Sequence, residues 1–291
     1  MKEEILKLKS EMNAVILAHH YQSMAVKEVA DFVGDSLELS KIASTLEQPV
    51  VVLCGVHFMA ETVKMLSPEK KVYLPNRDAG CPMADMVTSE RLMALKELHP
   101  DAAVVTYVNS SAEVKAISDI CCTSSNAVKI VRSMKEKKII FVPDQNLGQY
   151  VQSQCPDKEI ILWKGFCPTH HRVTHVTIPE GAVFFAHPEC RPEILKEADF
   201  IGSTGQIIEA CKKTSANQIL IGTEMGVVDS LRVALPDKTF YALDTMICPN
   251  MKKTTLEDIR NTLLGLNEEI VVPQEIAEKA KGAIEKMIER S

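Results

Sequence analysis

The stretch Ala30-Asp31-Phe32-Val33-Gly34-Asp35-Ser36 decides the fold, because it returns almost unchanged as Ala198-Asp199-Phe200-Ile201-Gly202-Ser203-Thr204. A more distant copy runs from Ser118-Asp119-Ile120 to Thr123-Ser124-Ser125. Each copy follows an apolar strand and a short helical stretch. A segment that recurs in the same structural context is typical of a chain built from several copies of one unit. The sequence therefore predicts three related units.

The strand before each copy ends in polar residues. These strands are predicted at residues 14–18, 103–108 and 182–186, and they lead into His19, Asn109 and His187. A single histidine at a strand end is usually a satisfied surface or core residue. Because ligands of parallel sheets collect beyond the carboxyl ends of the strands, the recurrence favours a polar ring that also includes Tyr107.

Each unit continues through a second apolar strand, an amphipathic helix, a Pro-x-Lys turn and a last short strand. The second strands are predicted at residues 50–53, 139–142 and 219–221. The turns are Pro68-Glu69-Lys70, Pro156-Asp157-Lys158 and Pro236-Asp237-Lys238. Every unit then reaches a Cys-Pro pair, and the three cysteines of these pairs are Cys81, Cys167 and Cys248. Three units thus give three equivalent cysteines.

Strands that alternate with helices predict an α/β fold with parallel sheets and right-handed crossovers. We expect three homologous three-layer αβα domains with small parallel sheets, arranged with pseudo-threefold symmetry around a central cluster site. The predicted domains cover residues 1–86, 87–172 and 173–256, and closing helices fill 257–291. Thr254 with Glu257 predicts a capping box, and residues 275–290 form an amphipathic pattern.

Composition excludes several functional classes. With 33 Lys and Arg against 39 Asp and Glu, the net charge of −6 gives no electrostatic footprint for nucleic acid or an anionic membrane. No stretch approaches the roughly 18 apolar residues of a membrane span, and the first residues lack the apolar core of a signal peptide. We therefore expect a cytoplasmic protein with neither nucleic acid nor membrane as a partner, whose anionic substrates are bound by local groups.

The nine cysteines are not expected to form disulfides, because cytosolic thiols are kept reduced and the count is odd. No CxxC or CxxxCxxC spacing supports a zinc ribbon, a thioredoxin-like site or a radical-SAM motif. Six are interpreted as core residues: Cys54, Cys121, Cys122, Cys155, Cys190 and Cys211. Recurrence instead marks Cys81, Cys167 and Cys248 as metal ligands. Three thiolates would leave one iron of a [4Fe-4S] cluster open, although zinc on three thiolates also fits the residues.

Hydroxyl and acidic residues complete the predicted site. Ser36, Ser124 and Thr204 fall at predicted helix starts, where hydroxyls beside unpaired amides bind carboxylate or phosphate. Ordinary N-capping explains such residues as well. Glu189, two residues beyond His187, is the candidate proton-transfer group, with surface solvation as the alternative.

Many sequence blocks, in order, resemble those of the quinolinate synthase family over nearly the whole chain. The blocks are Ala18-His19-His20-Tyr21-Gln22, Gly34-Asp35-Ser36, residues 55–61, Cys81-Pro82-Met83-Ala84, Tyr107-Val108-Asn109-Ser110, Thr123-Ser124-Ser125-Asn126-Ala127, Pro143-Asp144-Gln145-Asn146-Leu147-Gly148, Cys167-Pro168-Thr169-His170, His187-Pro188-Glu189-Cys190, Gly202-Ser203-Thr204-Gly205, Gly222-Thr223-Glu224 and Cys248-Pro249-Asn250-Met251-Lys252. Several such blocks in the right order are far more specific than any one of them.

This resemblance implies a transferase of NAD biosynthesis that condenses iminosuccinate with dihydroxyacetone phosphate to quinolinate, phosphate and water. It implies an oxygen-sensitive [4Fe-4S] cluster on Cys81, Cys167 and Cys248, whose open iron acts as a Lewis acid. L-Aspartate oxidase or dehydrogenase would supply iminosuccinate and is a candidate transient partner. The implied substrate contacts are His19, Ser36, Tyr107, Asn109, Ser124, His187, Glu189 and Thr204. Glu189 would shuttle protons, Tyr21 would orient the triose phosphate, and His19, His187 and Tyr107 would join them in catalysis.

Other three-cysteine cluster proteins with triplicated α/β architecture provide alternatives. One is a diphosphate-reducing enzyme of isoprenoid synthesis, which would need a reductant and an allylic diphosphate. Another is the diphthamide radical enzyme, which would bind S-adenosylmethionine and a protein partner. A sensor with a labile cluster is a third, but it would not need a polar ring at the strand ends.

Overall fold

The computed structural model describes residues 1–291, which build three separate four-stranded sheets. All strand pairs within them are parallel. Each sheet takes its four strands from one sequence repeat, and each has the order second, first, third, fourth strand. The predicted α/β class with three small parallel sheets is confirmed. The pseudo-threefold arrangement and the domain boundaries remain predictions.

The helices and strands follow the chain in three similar series. The first series is α1 (Lys2–Glu11), β1 (Ala14–His19), α2 (Met24–Lys27), β2 (Phe32–Gly34), α3 (Ser36–Thr45), β3 (Val50–Cys54), α4 (His57–Leu66) and β4 (Lys71–Tyr73). The second is α5 (Ser89–Leu98), β5 (Ala103–Tyr107), α6 (Ala112–Ala116), β6 (Ile120–Cys122), α7 (Ala127–Ser133), β7 (Lys138–Val142), α8 (Gln145–Gln154) and β8 (Glu159–Leu162). The third is α9 (Pro168–His171), β9 (Val183–Ala186), α10 (Pro192–Leu195), β10 (Phe200–Ile201), α11 (Thr204–Lys213), β11 (Gln218–Gly222), α12 (Met225–Ala234) and β12 (Thr239–Ala242).

The central strands read as unbroken apolar runs because both faces of each sheet are covered. Every residue of β1, β3 and β5 is buried. Strands of this kind belong to parallel sheets with helices on both faces. The burial pattern therefore agrees with the three-layer αβα organisation that the repeats predict.

One aspartate explains why the Ala-Asp-Phe motif recurs. The carboxylate of Asp31 accepts the N–H of Ile16 at 2.8 Å, and the N–H of Asp31 bonds the carbonyl of the same residue. Asp119 and Asp199 repeat both bonds, with carboxylate distances of 2.7 and 2.8 Å, in the second and third units. Each aspartate thereby fixes the chain that returns from the first crossover helix to the sheet.

The lysine of each Pro-x-Lys turn closes a helix. The Nζ atoms of Lys70, Lys158 and Lys238 each lie 2.6 Å from the carbonyl oxygen of the residue that caps α3, α7 or α11. Carbonyls at a helix C-terminus have no partner within the helix, and a cation there also complements the helix dipole. The turn lysine therefore satisfies the same backbone group in all three units.

Two closing helices, α13 (Leu256–Leu263) and α14 (Gln274–Glu289), complete the chain. α13 packs on α1, whereas α14 packs on α4, α6 and β6 and so joins the first unit to the second. The capping box predicted for Thr254 and Glu257 is wrong by one residue. Thr255 and Asp258 form it, because the Thr254 side chain is buried and the helix begins after Thr255. No helix in the structure combines the length and apolar character needed to cross a membrane.

Candidate active site

A single cavity of about 120 Å³ lies where the carboxyl ends of the three sheets meet. Every residue that the sequence singled out for binding, catalysis or metal ligation lines it. These residues are His19, Tyr21, Ser36, Cys81, Tyr107, Asn109, Ser124, Cys167, His187, Glu189, Thr204 and Cys248. The structure thus brings together side chains from all three repeats, and the roles of those side chains remain predictions.

The nine cysteines fall into two groups by exposure. Six have no exposed surface, namely Cys54, Cys121, Cys122, Cys155, Cys190 and Cys211. Cys81, Cys167 and Cys248 are partly exposed, and all three open into the cavity together with the prolines that follow them. Exposure therefore separates the same three cysteines that recurrence separated in the sequence.

Burial keeps the three cavity thiols protonated in the absence of a metal. It raises the pKa of Cys81 to about 12 and also raises the pKa values of Cys167 and Cys248. After burial, Cys248 also raises the pKa of Cys81, and Cys81 raises the pKa of Cys167, as expected of thiols that line one cavity. A metal that bound here would have to displace their protons.

Two carboxylates accept hydrogen bonds from the backbone N–H groups of two of the three cysteines. Asp144 caps α8 through Oδ1, and its Oδ2 accepts the N–H of Cys167 at 3.1 Å. Glu224 caps α12 through Oε2, and its Oε1 accepts the N–H of Cys248 at 3.3 Å. The first unit has Val56 before α4, which provides no side-chain cap. Cys81 therefore lacks the anchor that the other two cysteines share.

His19 and His187 are oriented by the same local turn. Nδ1 of His19 accepts the N–H of Tyr21 at 3.1 Å, and Nδ1 of His187 accepts the N–H of Glu189 at 3.3 Å. Burial lowers the pKa of both rings, to about 3 for His187, so both are neutral near pH 7. A neutral ring that accepts at Nδ1 carries its proton on Nε2. In His187 that Nε2 lies 3.2 Å from the hydroxyl of Ser124.

Glu189 is a buried carboxylate that accepts hydrogen bonds from two neighbouring side chains. Its Oε1 accepts the hydroxyl of Tyr107 at 2.8 Å, and its Oε2 lies 2.8 Å from Nδ1 of His170. Burial alone would raise the pKa of Glu189, but the rings of His187 and His170 and the two hydrogen bonds outweigh it and lower the pKa to about 2. Glu189 is therefore ionised near neutral pH and can accept a proton.

A chain of hydrogen bonds crosses the site from Thr204 to Glu189. Thr204 Oγ1 donates to the Tyr21 hydroxyl at 3.0 Å, and that hydroxyl lies 2.9 Å from Thr223 Oγ1. Thr223 Oγ1 lies 3.0 Å from Nε2 of His170. Because Nδ1 of His170 faces an ionised carboxylate and must carry the proton, Nε2 is the acceptor. The donors can therefore all point in one direction, from Thr204 through Tyr21, Thr223 and His170 to Glu189.

Sequence reasoning did not single out His170 or Thr223. His170 stands three residues after Cys167, and Thr223 directly follows β11. Both lie within blocks that carry the family resemblance, but neither recurs in all three units. His170 comes after the last strand of the second sheet and Thr223 directly follows a strand of the third sheet, so these positions and the family blocks were the signals that could have found them.

N-capping does not account for the predicted hydroxyls. Asp35 caps α3 and Ser203 caps α11, so Ser36 and Thr204 occupy the first helical position and keep their hydroxyls for other partners. Ser124 lies before Asn126, the residue that precedes α7, and faces His187. These hydroxyls are therefore available to the cavity.

The structure offers two sets of side chains for a metal. Atoms of Cys167, His170 and Glu189 lie within 4.8 Å of one another. In that set Nδ1 of His170 already donates to Glu189, so a metal would have to replace its proton. The second set is the three cavity cysteines. They share the cavity with Asn109, whose buried Oδ1 has no partner within the protein, as expected of a wall that faces a bound group.

Fold and site together define a class: a triplicated α/β protein with a cavity lined by cysteine, histidine, tyrosine and carboxylate side chains from its three units. Residues 3–289 match the family model described as "Quinolinate synthetase A protein". This chain belongs to that family.

Relatives from three bacteria match along almost their whole length. A quinolinate synthase of Caldicellulosiruptor bescii is 54% identical over 99% of this chain and 98% of that protein. One of Caldicellulosiruptor saccharolyticus is 53% identical over 100% of this chain and 98% of its own. One of Alkaliphilus metalliredigens is 54% identical, again over 99% and 98%.

Proposed function

We propose that this chain is a quinolinate synthase that acts in the cytoplasm in NAD biosynthesis. It would join iminosuccinate to dihydroxyacetone phosphate and release quinolinate, one phosphate and two waters, with no net oxidation or reduction. The names of the relatives support this reaction. The observation that carries it is the meeting of three partly exposed cysteines with the polar ring in one cavity.

We assign Cys81, Cys167 and Cys248 as the ligands of a [4Fe-4S] cluster. The three thiols suit it, since one comes from each unit and all open into the same space, while the other six cysteines are sealed in the core. When bound, such a cluster would supply an open iron that acts as a Lewis acid toward substrate oxygens. The carboxylates Asp144 and Glu224 would hold the backbone of two of the three ligands.

The polar ring is suited to two anionic substrates. Iminosuccinate carries two carboxylates and dihydroxyacetone phosphate carries a phosphate, so both need hydrogen-bond donors. The Nε2–H of His19 and the hydroxyl of Ser36 are donors beside the N-terminus of α3, and Thr204, whose hydroxyl donates to Tyr21, lines the cavity at the N-terminus of α11. Helix N-termini bind such groups through unpaired amides and the helix dipole. Asn109 and Ser124 would complete the contacts in the second unit.

Ring formation requires repeated proton transfer, and Glu189 is placed to perform it. As an ionised group it can take a proton from a carbon beside a carbonyl and return it to a leaving hydroxyl. Tyr107 and His170 hold both of its oxygens, which fixes its direction. The Tyr21 hydroxyl is held between Thr204 and Thr223 and would orient the triose phosphate. His187 would donate from Nε2 to Ser124 and steady that hydroxyl against the substrate.

Iminosuccinate must come from a reaction that oxidises the amine of aspartate to an imine. L-Aspartate oxidase or dehydrogenase performs this step and is our proposed transient partner. An imine hydrolyses in water, so supply from such an enzyme close to the cavity would limit its loss.

The test is quinolinate formation by anaerobically reconstituted protein from iminosuccinate and dihydroxyacetone phosphate. Cys81→Ala should lose both the iron and the product, because it removes one of three metal ligands. The matched control is Cys211→Ala, which removes a thiol buried in α11 and should keep both. Full activity in Cys81→Ala, or equal loss in both variants, would contradict the assignment.

A further inference from the structure

The buried carboxylate of Glu224 forms an ion pair with the half-buried Lys252 beside the Cys248 turn, and Lys252 has no part in the reaction described above. Glu224 has no exposed side-chain surface, and its Oε1 and Oε2 lie 3.0 and 3.2 Å from Nζ of Lys252. The same carboxylate accepts the N–H of Cys248 and caps α12. Glu224 therefore joins Lys252 to the backbone of a proposed metal ligand.

Lys252 also reaches the first unit. Its Nζ donates to the backbone carbonyl of Tyr21 at 2.5 Å, although the two residues are 231 positions apart in the sequence. Tyr21 is thereby held at two places, since its side-chain hydroxyl bonds Thr204 and Thr223. A cation held between a buried carboxylate and a carbonyl restricts both groups. The position of Tyr21 thus depends on a residue that does not line the cavity.

The close packing around this pair depends on a glycine. A Cβ atom at Gly226 would lie 2.9 Å from Glu224 Oε2 and 3.0 Å from both Lys252 Nζ and the Tyr21 carbonyl oxygen. Contacts this short would push the three groups apart. Gly226 is therefore required for the carboxylate, the ammonium and the carbonyl to meet.

We propose that Glu224 and Lys252 form a positioning pair that ties the turn of Cys248 to Tyr21. The pair sets the distance between a metal ligand of the third unit and a substrate-orienting residue of the first. This inference rests on the proposed function for the role of Tyr21, but the link between the two turns is independent of it.

Lys27 provides a matched control. It joins the same two units, since its Nζ lies 2.6 Å from both the Gly226 carbonyl and the Ser230 hydroxyl. It makes no hydrogen bond with Glu224 or with the Tyr21 carbonyl. Lys252→Met and Lys27→Met both remove one ammonium group from one interface, and only the first should release Tyr21.

The experiment is a double-mutant cycle on reconstituted enzyme. Lys252→Met should lower kcat/KM by about 10- to 100-fold, the effect of misplacing a reacting group by roughly 1 Å. In a Tyr21→Phe background the same substitution should cost less than about 3-fold, because the two residues act through one another. Lys27→Met should show a small effect, equal in both backgrounds. An equal loss for Lys252→Met in both backgrounds would overturn the proposal.

Removing Lys252 alone leaves a buried carboxylate without its cation, which can cause unfolding. The double variant Glu224→Gln with Lys252→Met removes both charges and keeps one acceptor oxygen, for the N–H of either Cys248 or Gly226. It should bind wild-type amounts of iron and sulfide and should show the same loss of kcat/KM as Lys252→Met. Full activity in this variant would also overturn the proposal.

A measurement without turnover separates this inference from the proposed function. The electron paramagnetic resonance spectrum of the reduced cluster should change in Glu224→Gln, which alters the group bound to the Cys248 N–H, and should stay unchanged in Lys27→Met. An unchanged spectrum in Glu224→Gln overturns the link to Cys248. If wild-type protein makes no quinolinate, the proposed function fails while this spectroscopic comparison can still be made.

Discussion

The two ends of the three sheets differ in how closely the units repeat one another. On the side away from the cavity the same side chains recur. Asp31, Asp119 and Asp199 fix the returning strand, and Lys70, Lys158 and Lys238 close a helix, with nearly equal distances in all three units. At the carboxyl ends the units are less alike. Asn109 stands in the second unit where the other two have His19 and His187, and only two of the three cysteine turns have a carboxylate anchor.

This difference has a physical reason. The recurrent aspartates and lysines satisfy backbone groups. Because the three units share one backbone topology, the same side chain can make the same hydrogen bond in each of them. The proposed substrates are not threefold symmetric, so a substrate-binding group repeated three times would be misplaced for two of its copies. At the cavity the three units therefore share only the cysteine turns, which are proposed to hold one common group, and differ in most of the polar residues around them. Substitutions at the two ends should have opposite effects on activity and on stability.

The largest effect is expected for Glu189→Gln. Glutamine keeps the size of the side chain but cannot accept a proton as the carboxylate does, so kcat should fall by about 10²- to 10⁴-fold. Iron content should change little, whereas thermal stability should fall modestly, because the surroundings that lower the pKa of Glu189 favour its charged form in the folded protein. Steady-state kinetics and calorimetry would check this. A variant with near-normal kcat would remove Glu189 from proton transfer.

The opposite pattern is expected at the other end of the sheet for Asp199→Ala. The substitution leaves the Phe184 N–H without its acceptor and should lower the free energy of unfolding by about 1–3 kcal/mol. Activity per folded, iron-loaded molecule should remain normal. Denaturant unfolding and kinetics on the same samples would measure both. A large fall in kcat at unchanged stability would contradict the comparison between the two ends.

The smallest effects are expected for two neighbours at the start of α11. Ser203→Ala removes the helix cap and should cost about 1 kcal/mol of stability with little change in kcat. Thr204→Val removes the hydroxyl that donates to Tyr21 and should raise KM or lower kcat, with a smaller effect on stability. The two variants compare a stabilising residue with a cavity residue at adjacent positions in the sequence. If both variants lost activity equally, Ser203 could not be assigned to helix capping alone and Thr204 to the cavity.

Recurrence explains why the fold could be predicted well from the sequence. The strand predicted at residues 50–53 extends to Cys54, and that at 219–221 extends by one residue at each end. The capping box failed because Thr254 and Thr255 both satisfy the sequence pattern, and only burial of the first distinguishes them.

The sequence predicted which residues line the cavity but not the hydrogen bonds between them. Tyr21 and Thr223 are 202 positions apart, and no periodicity relates them. The same holds for Lys252, which lies within a block of family resemblance but whose partner Tyr21 belongs to another unit. Recurrence in the sequence predicts features that all three units share. These hydrogen bonds join residues that do not recur in the other units, so recurrence could not predict them.

The packing of α14 has a consequence for synthesis on the ribosome. This helix lies against α4 and α6, and the Asn126 amide donates to the hydroxyl of Ser291 at 2.7 Å. Domains generally fold in order as they leave the exit tunnel. The first two units, although translated early, cannot finish their shared interface until α14 has emerged. A newly made chain therefore leaves the apolar surface of α4 and α6 that faces α14 uncovered until that helix has been synthesised.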